Sequence, residues 1–316
     1  MKKSVFLMVL VIALISALPV FGAGRTEAAA GDGKVRVELI TMDSIDEHWL
    51  KVRNGAETKA AELGNIELTF NAPQGKVDAQ AQLDLVQNAI TRQVDVIMLA
   101  PLNKDALVPG VEEAKAAGIK VIIIDSAVGT SNYEAFFFTD NGAAARLAAD
   151  QLAKEIGGQG KVAIVNAQAG AGTTMTREDD FEDQIAKNYP GITVVGVQYS
   201  DGLKDRALNI ATDFMTANPD LAGFYACNEG ATVGTGNAIV QAGKTGTVKF
   251  VGFDWSADTK SLMEQGALQA AMVQNPYQMG YLGVQAAADL MAGKTVQKDV
   301  DTGVTVATSA NMATIK

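Results

Sequence analysis

The chain has 316 residues and a formal net charge of −10, with 26 Lys and Arg against 36 Asp and Glu. Nucleic acids and anionic membranes bind through clusters of Lys and Arg, so this acidic balance argues against both as partners. The sequence has one cysteine and one histidine, His48. These counts leave no disulfide pair, no imidazole-based metal site and no partner set for Ser-His-Asp or Cys-His chemistry. We therefore predict no metal, no other cofactor and no catalytic residue.

The first residues have the pattern of a secretion signal. Lys2 and Lys3 precede the apolar run 5–18, and small residues occupy positions 22–24. We predict that residues 1–24 form a signal peptide cleaved near 22–24, which takes the net charge from −10 to about −12 because two lysines are lost. An uncleaved membrane anchor is the alternative, but the run is shorter than the ~20 residues that span a bilayer. No cysteine follows it to carry a lipid anchor, so we predict a soluble periplasmic protein.

Strand-like and helix-like segments alternate along the remaining ~290 residues, enough for two domains of typical size. The first series has strands near 35–42, 66–71, 94–99 and 119–124, separated by helices near 47–63, 77–91 and 104–117. The second series begins with KVAIVN at 161–166 and continues with strands near 192–198, 221–226, 248–252 and 269–273 and helices near 175–188, 203–217, 230–242 and 256–265. This alternation predicts an α/β fold of two doubly wound parallel-sheet lobes joined by a hinge.

The last predicted helix, near 276–291, and the tail that follows it have no place in the second series. We therefore expect the chain to cross back to the first lobe before it ends. On this basis the N-terminal lobe is predicted to contain 34–140 and 276–303, and the C-terminal lobe 141–275 and 304–316.

Four predicted strands run into a polar residue at their carboxyl ends. These residues are Asp43, Asp125, Asn228 and Asp254. In parallel sheets covered by helices, ligands bind in the crevice beyond the carboxyl ends of the strands, so the four side chains could line one site. For Asp125 and Asp254, capping of a following helix is the alternative. Together with the secretion signal, the pattern favours a secreted small-molecule receptor.

A glycine-rich segment, Gly170 to Thr174, lies between a predicted strand and a predicted helix. Its backbone N–H groups could hold an anion or an oxygen-rich ligand. A plain strand-to-helix turn explains the same composition equally well.

Six short segments occur in an order and spacing that match a known family. They are VIIID with Asp125, TDNGAAARLAADQLA, TREDDF with Arg177, CNEGATVGTGNAI with Asn228, VGFD with Asp254 and AAMVQNP with Gln274. From about Val35 to the C-terminus, the chain resembles the type I periplasmic sugar-binding proteins of ABC transporters, the ribose-binding and related pentose and hexose receptors.

The resemblance implies that five residues hydrogen-bond ligand hydroxyls or the ring oxygen: Asp125, Arg177, Asn228, Asp254 and Gln274. Carboxylates accept and a guanidinium donates strong charge-assisted hydrogen bonds to neutral hydroxyls. A site of this kind discriminates against analogues that lack a hydroxyl, because each unmatched buried polar group costs ~1–3 kcal/mol.

The segment after the first strand departs from the ribose-type pattern of an Asn followed by two aromatic residues. Here Asp46 replaces the amide, His48 replaces one aromatic residue, and Trp49 still offers a flat face to the C–H groups of a ring or polyol. A core position for Trp49 and a solvent-facing helix start for His48 are the alternatives.

Further departures concern the expected ligand. The family's Asp-Arg pair after the fourth strand is Asp125-Ser126 here, and Trp255 could substitute for the aromatic platform that is missing near 201–202. Together with Asp43, Ser126 and Trp255 are therefore secondary candidates for ligand contact. One pocket cation is lost and one carboxylate is gained, so a different pentose or hexose, a polyol or a related hydroxylated molecule fits better than ribose.

The resemblance implies a monomer that closes on a sugar or polyol and delivers it to an ABC transporter permease or presents it to a chemoreceptor. A LacI-type regulator shares the two-lobe core, but it would begin with a helix-turn-helix and a basic surface. Two alternatives remain: a secreted sugar-processing enzyme with Asp125 and Asp254 as its carboxylate pair, and a receptor for an amino acid or signalling molecule held by Arg177.

Overall fold

The computed structural model describes residues 33–74 and 78–315. The predicted signal peptide, 1–24, lies outside these residues. The helices are α1 Glu47–Leu63, α2 Ala79–Thr91, α3 Val108–Ala116, α4 Asn141–Glu155, α5 Gly172–Asn188, α6 Lys204–Ala217, α7 Glu229–Gln241, α8 Ala257–Glu264 and α9 Pro276–Met291. None of these described helices combines the length and apolar character needed to cross a membrane.

The strands of the described residues form two six-stranded sheets. They are β1 Val35–Ile40, β2 Ile66–Asn71, β3 Val96–Leu99, β4 Lys120–Ile124, β5 Ala135–Phe138, β6 Gln159–Asn166, β7 Gly191–Tyr199, β8 Leu221–Ala226, β9 Lys249–Phe253, β10 Ala270–Gln274, β11 Asp299–Asp301 and β12 Val304–Thr308. The first sheet has the order β11-β5-β4-β3-β1-β2, and the second has the order β12-β10-β9-β8-β6-β7. We call each sheet, with the helices packed on it, a lobe.

Parallel pairing dominates both sheets, and the described exception is the antiparallel pair β10–β12. The central strands are buried apolar runs, such as VIML in β3 and VIII in β4. Strands covered by helices on both faces require such continuous apolar runs rather than alternation. The predicted fold class, two doubly wound α/β lobes, is confirmed.

The chain passes between the sheets at three places: from β5 to α4, from β10 to α9 and from β11 to β12. The first and third connections lie side by side, because the backbone N–H of Thr302 donates to the carbonyl of Phe138 over 2.7 Å. The sheets assign the strands to lobes, whereas the residue boundaries given for the lobes stay a prediction.

Helix α9 packs against α1 on the first lobe through glycines that allow the backbones to touch. A Cβ atom added at Gly280 would lie 1.9 Å from the carbonyl oxygen of Val52, and one added at Gly55 would lie 2.0 Å from that of Tyr277. A side chain at either position would therefore push the two helices apart.

Candidate ligand-binding cleft

A cleft of about 620 Å³, part of it open to solvent, lies between the carboxyl ends of the two sheets. Its lining comes from both lobes: Met42, Asp43, Asp46, His48, Trp49, Leu102, Asp125, Ala167, Gln168, Ala171, Thr173, Thr174, Arg177, Asp201, Gly202, Asn228, Glu229, Asp254 and Gln274. All eight principal candidates from the sequence, and the secondary candidate Asp43, are therefore brought together in one cavity.

Asp125 and Asp254 occupy matching positions in the two lobes. Asp125 follows β4 with φ 62°, and Asp254 follows β9 with φ 73°, so both adopt the left-handed conformation that L-residues rarely take. Neither caps a helix that follows it in the chain: Ser256 caps α8, and Asp125 leads towards β5. Asp201, another cleft residue, has φ 54°. Residues held in this way cluster at functional sites, where the surrounding structure offsets a cost of about 1–3 kcal/mol.

His48 lies between the two strand-end carboxylates. Its Nε2 atom is 3.0 Å from Oδ1 of Asp125 in the first lobe, and its Nδ1 atom is 3.6 Å from Oδ1 of Asp254 in the second. Burial disfavours a charged imidazole, but Asp125 and Asp254 outweigh this cost and raise the pKa of His48 to about 10. His48 is thus a buried cation rather than a solvent-facing residue at the helix start.

The carboxylate of Asp254 is held by protein donors at both oxygens. Gln274 Nε2 donates to Oδ1 over 2.7 Å, and the backbone N–H of Glu229 donates to Oδ2 over 2.9 Å. Burial would raise the pKa of Asp254, but the nearby charge of His48, with smaller contributions from Arg177 and Gln274, lowers it to about 2. Asp254 is therefore ionised throughout the physiological range.

Glu229 is a cleft residue that sequence reasoning did not identify. It is 3% exposed, and its Oε2 accepts a hydrogen bond of 3.2 Å from the backbone N–H of His48 in the opposite lobe. Burial, with repulsion from Asp254 and Asp46, raises the pKa of Glu229 to about 7. Its place directly after the strand-end residue Asn228 was the available signal, but an acidic residue in a first helical turn has an ordinary electrostatic explanation.

Arg177 extends from α5 and is 2% exposed. Its Nε donates to Asn141 Oδ1 over 2.8 Å, its Nη1 donates to the carbonyl of Cys227 over 2.7 Å, and its guanidinium carbon lies 3.8 Å from the centre of the Phe253 ring. All these partners are neutral. Nη2 has no hydrogen-bond partner among the described residues, so a buried donor at the cleft wall is left for a ligand acceptor.

Trp49 and Asp43 each have a structural role in addition to their place in the cleft. Trp49 belongs to the core of the first lobe, and its ring meets that of His48 edge-on with centroids 4.7 Å apart. Asp43 Oδ1 accepts the backbone N–H groups of Ile45 (2.7 Å) and Asp46 (2.9 Å), which shapes the turn before α1.

Asn228 caps α7, because its side chain accepts the backbone N–H of Ala231 over 3.0 Å, and it lines the cleft as well. A strand-end residue can therefore cap a helix and line the cleft at the same time.

Two secondary candidates lie away from the cleft lining. Ser126 is fully buried, and Trp255 lines a smaller neighbouring cavity that shares His48, Asp254 and Gln274 with the cleft. The glycine-rich segment instead contributes Thr173 and Thr174, which lie near the start of α5.

The cleft lining offers groups that can hydrogen-bond to and pack against a small molecule. Its walls have carboxylate acceptors and the flat face of Trp49. Among the described residues, the Nη2 donor of Arg177 and the Oε1 acceptor of Gln274 are buried without a hydrogen-bond partner. In the same part of the chain, no group of three or more His, Cys, Asp or Glu side chains is placed to bind a metal.

Comparison with known proteins agrees with this architecture. The model of the family described as periplasmic binding protein domain matches residues 37–295. A carbohydrate transporter solute-binding protein from Agrobacterium radiobacter, solved with D-arabinose, is 34% identical, has a TM-score of 0.87, and the match covers 89% of this chain and 97% of that one. An ABC transporter solute-binding protein from Agrobacterium vitis, solved with D-fucose, is 39% identical with a TM-score of 0.85 over the same shares of the two chains.

The D-ribose/D-allose-binding protein of Pseudomonas aeruginosa is 28% identical over 275 residues, which cover 85% of this chain and 86% of that protein. The resemblance to type I periplasmic sugar-binding proteins of ABC transporters is thus confirmed at the level of both sequence and fold. The chain belongs to the periplasmic binding protein domain family.

Proposed function

We propose that this protein is a secreted solute-binding protein that captures a sugar or polyol between its lobes and delivers it to an ABC transporter permease. The observation that carries the proposal is the cleft itself, where hydrogen-bonding side chains from the carboxyl ends of both sheets surround one cavity. Relatives and structural neighbours that bind ribose or allose, arabinose and fucose support the same ligand class.

Each wall of the cleft has a role in holding the ligand. Asp125 and Asp254 accept hydrogen bonds from ligand hydroxyls, and Arg177 Nη2 donates to a hydroxyl or ring oxygen. Asp46 adds an acceptor where ribose-type members have an amide. Trp49 packs its indole against the C–H groups of the ligand. Because carboxylates outnumber cations in this lining, an anionic ligand is disfavoured.

Hinge closure couples capture to delivery. Ligand contacts come from both lobes, so they form together only when the lobes are closed, and the ligand stabilises that state by its differential affinity. The protein is proposed to act in the periplasm as a monomer, with the permease or a chemoreceptor recognising the closed form that holds ligand. Light scattering of the purified protein tests the monomeric state directly.

We propose that the ligand leaves chemically unchanged. A glycosidase needs one carboxylic acid that is protonated and one carboxylate that is free to act as base or nucleophile. Asp254 is ionised, with a pKa of about 2, and His48 lies between it and Asp125. Asp254 therefore cannot serve as the general acid, and its two oxygens are held by Gln274 and by the backbone of Glu229. Chromatography of sugars recovered after long incubation should return only the starting compound.

A thermal-shift screen tests the proposal. Protein without the predicted signal peptide is unfolded and refolded to remove bound ligand, then melted with pentoses, hexoses, polyols, amino acids and nucleosides. A native-state ligand at a hundred times its Kd adds about 2.7 kcal/mol, and we expect a shift of several degrees with a sugar or polyol. Deoxy analogues and enantiomers of the hit serve as matched controls and should give smaller shifts. Shifts confined to amino acids would reject the sugar assignment and keep the receptor fold.

A further inference from the structure

His48 contacts carboxylates of both lobes at once. From α1 of the first lobe, its imidazole reaches Asp125 at 3.0 Å and Asp254 at 3.6 Å, and its backbone N–H donates to Glu229 at 3.2 Å. The ring is 7% exposed, so these contacts lie in a region where charge interactions are only weakly screened. Two of the three contacted carboxylates belong to the second lobe.

The charges in the cleft explain why a cation is needed at this point. Closing the lobes brings Asp125 and Asp254 together, and two buried carboxylates repel each other unless a positive group lies between them. Arg177 contributes some positive charge at Asp254, but its hydrogen-bonding partners are neutral groups, and the arginine that ribose-type members carry after the first of these aspartates is Ser126 here. His48 supplies the charge in its place.

We propose that His48 is a positioning residue that joins the lobes through their two strand-end carboxylates, so that the protein is predominantly closed before any ligand binds. In this role the imidazolium does not stack on the ligand as an aromatic residue would. It fixes the orientation of Asp125 and Asp254 relative to each other and makes the ligand-ready geometry a property of the protein alone.

Other contacts between the lobes provide a matched control. Lys51 Nζ donates to the carbonyl of Trp255, and the backbone N–H of Ala257 donates to Glu47 Oε1 over 3.2 Å. Lys51→Met removes one cation and one interlobe hydrogen bond but leaves both strand-end carboxylates paired with His48. If closure depended on interlobe hydrogen bonds in general, this variant would open the protein as much as a change at His48.

Small-angle X-ray scattering of ligand-free protein is the test. A compact chain of this length has a radius of gyration of about 19 Å. We expect wild type and Lys51→Met to have this compact radius, and His48→Gln to be measurably larger and to return to the wild-type value with saturating ligand. His48→Gln should also weaken ligand binding about tenfold or more, because only its closed fraction is competent.

If His48→Gln does not fold, His48→Phe replaces it as the test of whether the charge of His48 holds the lobes closed. The Phe variant keeps an aromatic ring beside Trp49 but removes the charge. Expansion of the Phe variant supports the proposal. A wild type that is already expanded, a His48 variant as compact as wild type, or equal expansion of Lys51→Met would each overturn it. The radii are measured without ligand, so these outcomes are independent of which ligand the screen identifies.

Discussion

The two lobes repeat one strand order, yet they hold their equivalent aspartates differently. Asp125 follows the fourth strand of the first lobe, and Asp254 follows the fourth strand of the second. Asp254 accepts from Gln274 and from the backbone of Glu229 within its own lobe. Among the described residues, the side-chain partner of Asp125 is His48. One carboxylate is therefore oriented by two donors of its own lobe and the other by a single side chain.

The difference indicates that the two lobes contribute differently to ligand binding. The second lobe presents a preorganised acceptor that costs little to order when ligand arrives. In the first lobe, the orientation of Asp125 depends on one imidazole that the second lobe also contacts. We expect Asp254 in the second lobe to contribute more to ligand affinity than Asp125. We expect the orientation of Asp125 in the first lobe to depend more strongly on whether the lobes are closed.

Replacing each aspartate by asparagine gives the largest expected effect. Asp254→Asn removes the charge that faces His48 and leaves one oxygen in place of two to accept from Gln274 and the backbone of Glu229, and we expect ligand affinity to fall several-hundred-fold, about 4 kcal/mol. Asn at position 125 can keep its oxygen on His48, and Asp125→Asn should cost about tenfold. Isothermal titration of both variants measures the difference. Equal losses would break the proposed asymmetry between the lobes.

Stability should fall as pH rises, because two groups at the lobe interface bind protons more tightly in the folded state. The pKa of Glu229 is raised from 4.5 to about 7, so folding loses up to about 3 kcal/mol as pH rises across that range. The pKa of His48 is raised from 6.5 to about 10, so its contribution is complete below pH 6.5 and lost by pH 10.

Chemical denaturation from pH 4.5 to 10 measures this dependence. In Glu229→Gln, the free energy of unfolding should change little between pH 4.5 and 7 and should still fall above pH 7. In His48→Gln, it should change little above pH 7. A wild-type free energy of unfolding that rises with pH between 5 and 7 would contradict the assignment of Glu229.

Gln274→Leu tests how strongly ligand affinity depends on the orientation of Asp254 in the second lobe. It removes the Nε2 donor from the Asp254 carboxylate, and a hydrogen bond to a charged group contributes about 1.5–3 kcal/mol. We expect a loss of affinity of roughly tenfold or more by isothermal titration, with the ligand preference unchanged. A loss below threefold would mean that Glu229 and His48 suffice to orient Asp254.

Thr173→Val removes a hydrogen bond to Asp125, and this change should have the smallest effect on ligand affinity. Thr173 Oγ1 donates to the backbone carbonyl of Asp125 over 3.3 Å, a long bond between neutral groups. We expect about threefold weaker binding, below 1 kcal/mol, in the same titration. A greater loss than that caused by Gln274→Leu would contradict the expectation that the donor to the Asp254 carboxylate matters more for affinity than this contact between α5 and Asp125.

Much of the fold and of the candidate site could be predicted from local patterns in the amino-acid sequence. Helices α1 and α9 have the predicted bounds, and strands β2 and β8 do as well, because buried apolar runs and glycine stops are readable from sequence. Asp125, Asn228 and Asp254 line the cleft because the carboxyl ends of parallel strands share one edge.

The rest depends on contacts between distant segments. The two ring contacts of His48 span 77 and 206 positions along the chain, so no local pattern could show that its ring faces two carboxylates. Trp255 adjoins Asp254 in sequence, but it lines a neighbouring cavity that shares His48, Asp254 and Gln274 with the cleft, so its contact with a ligand stays a prediction. Glu229 escaped notice because its role arises from the approach of α1 across the cleft.

The three passages of the chain between the sheets constrain the order in which the protein can fold. Helix α9 and strand β11 complete the first lobe, yet they are synthesised after nearly all of the second lobe. Until then α1 lacks the partner that contacts its backbone near Gly55, and β5 lacks its neighbour β11. A nascent or truncated chain that ends before position 276 therefore exposes an apolar helix face and an open sheet edge. Loss of the C-terminal segment should for this reason unfold the N-terminal half of the molecule.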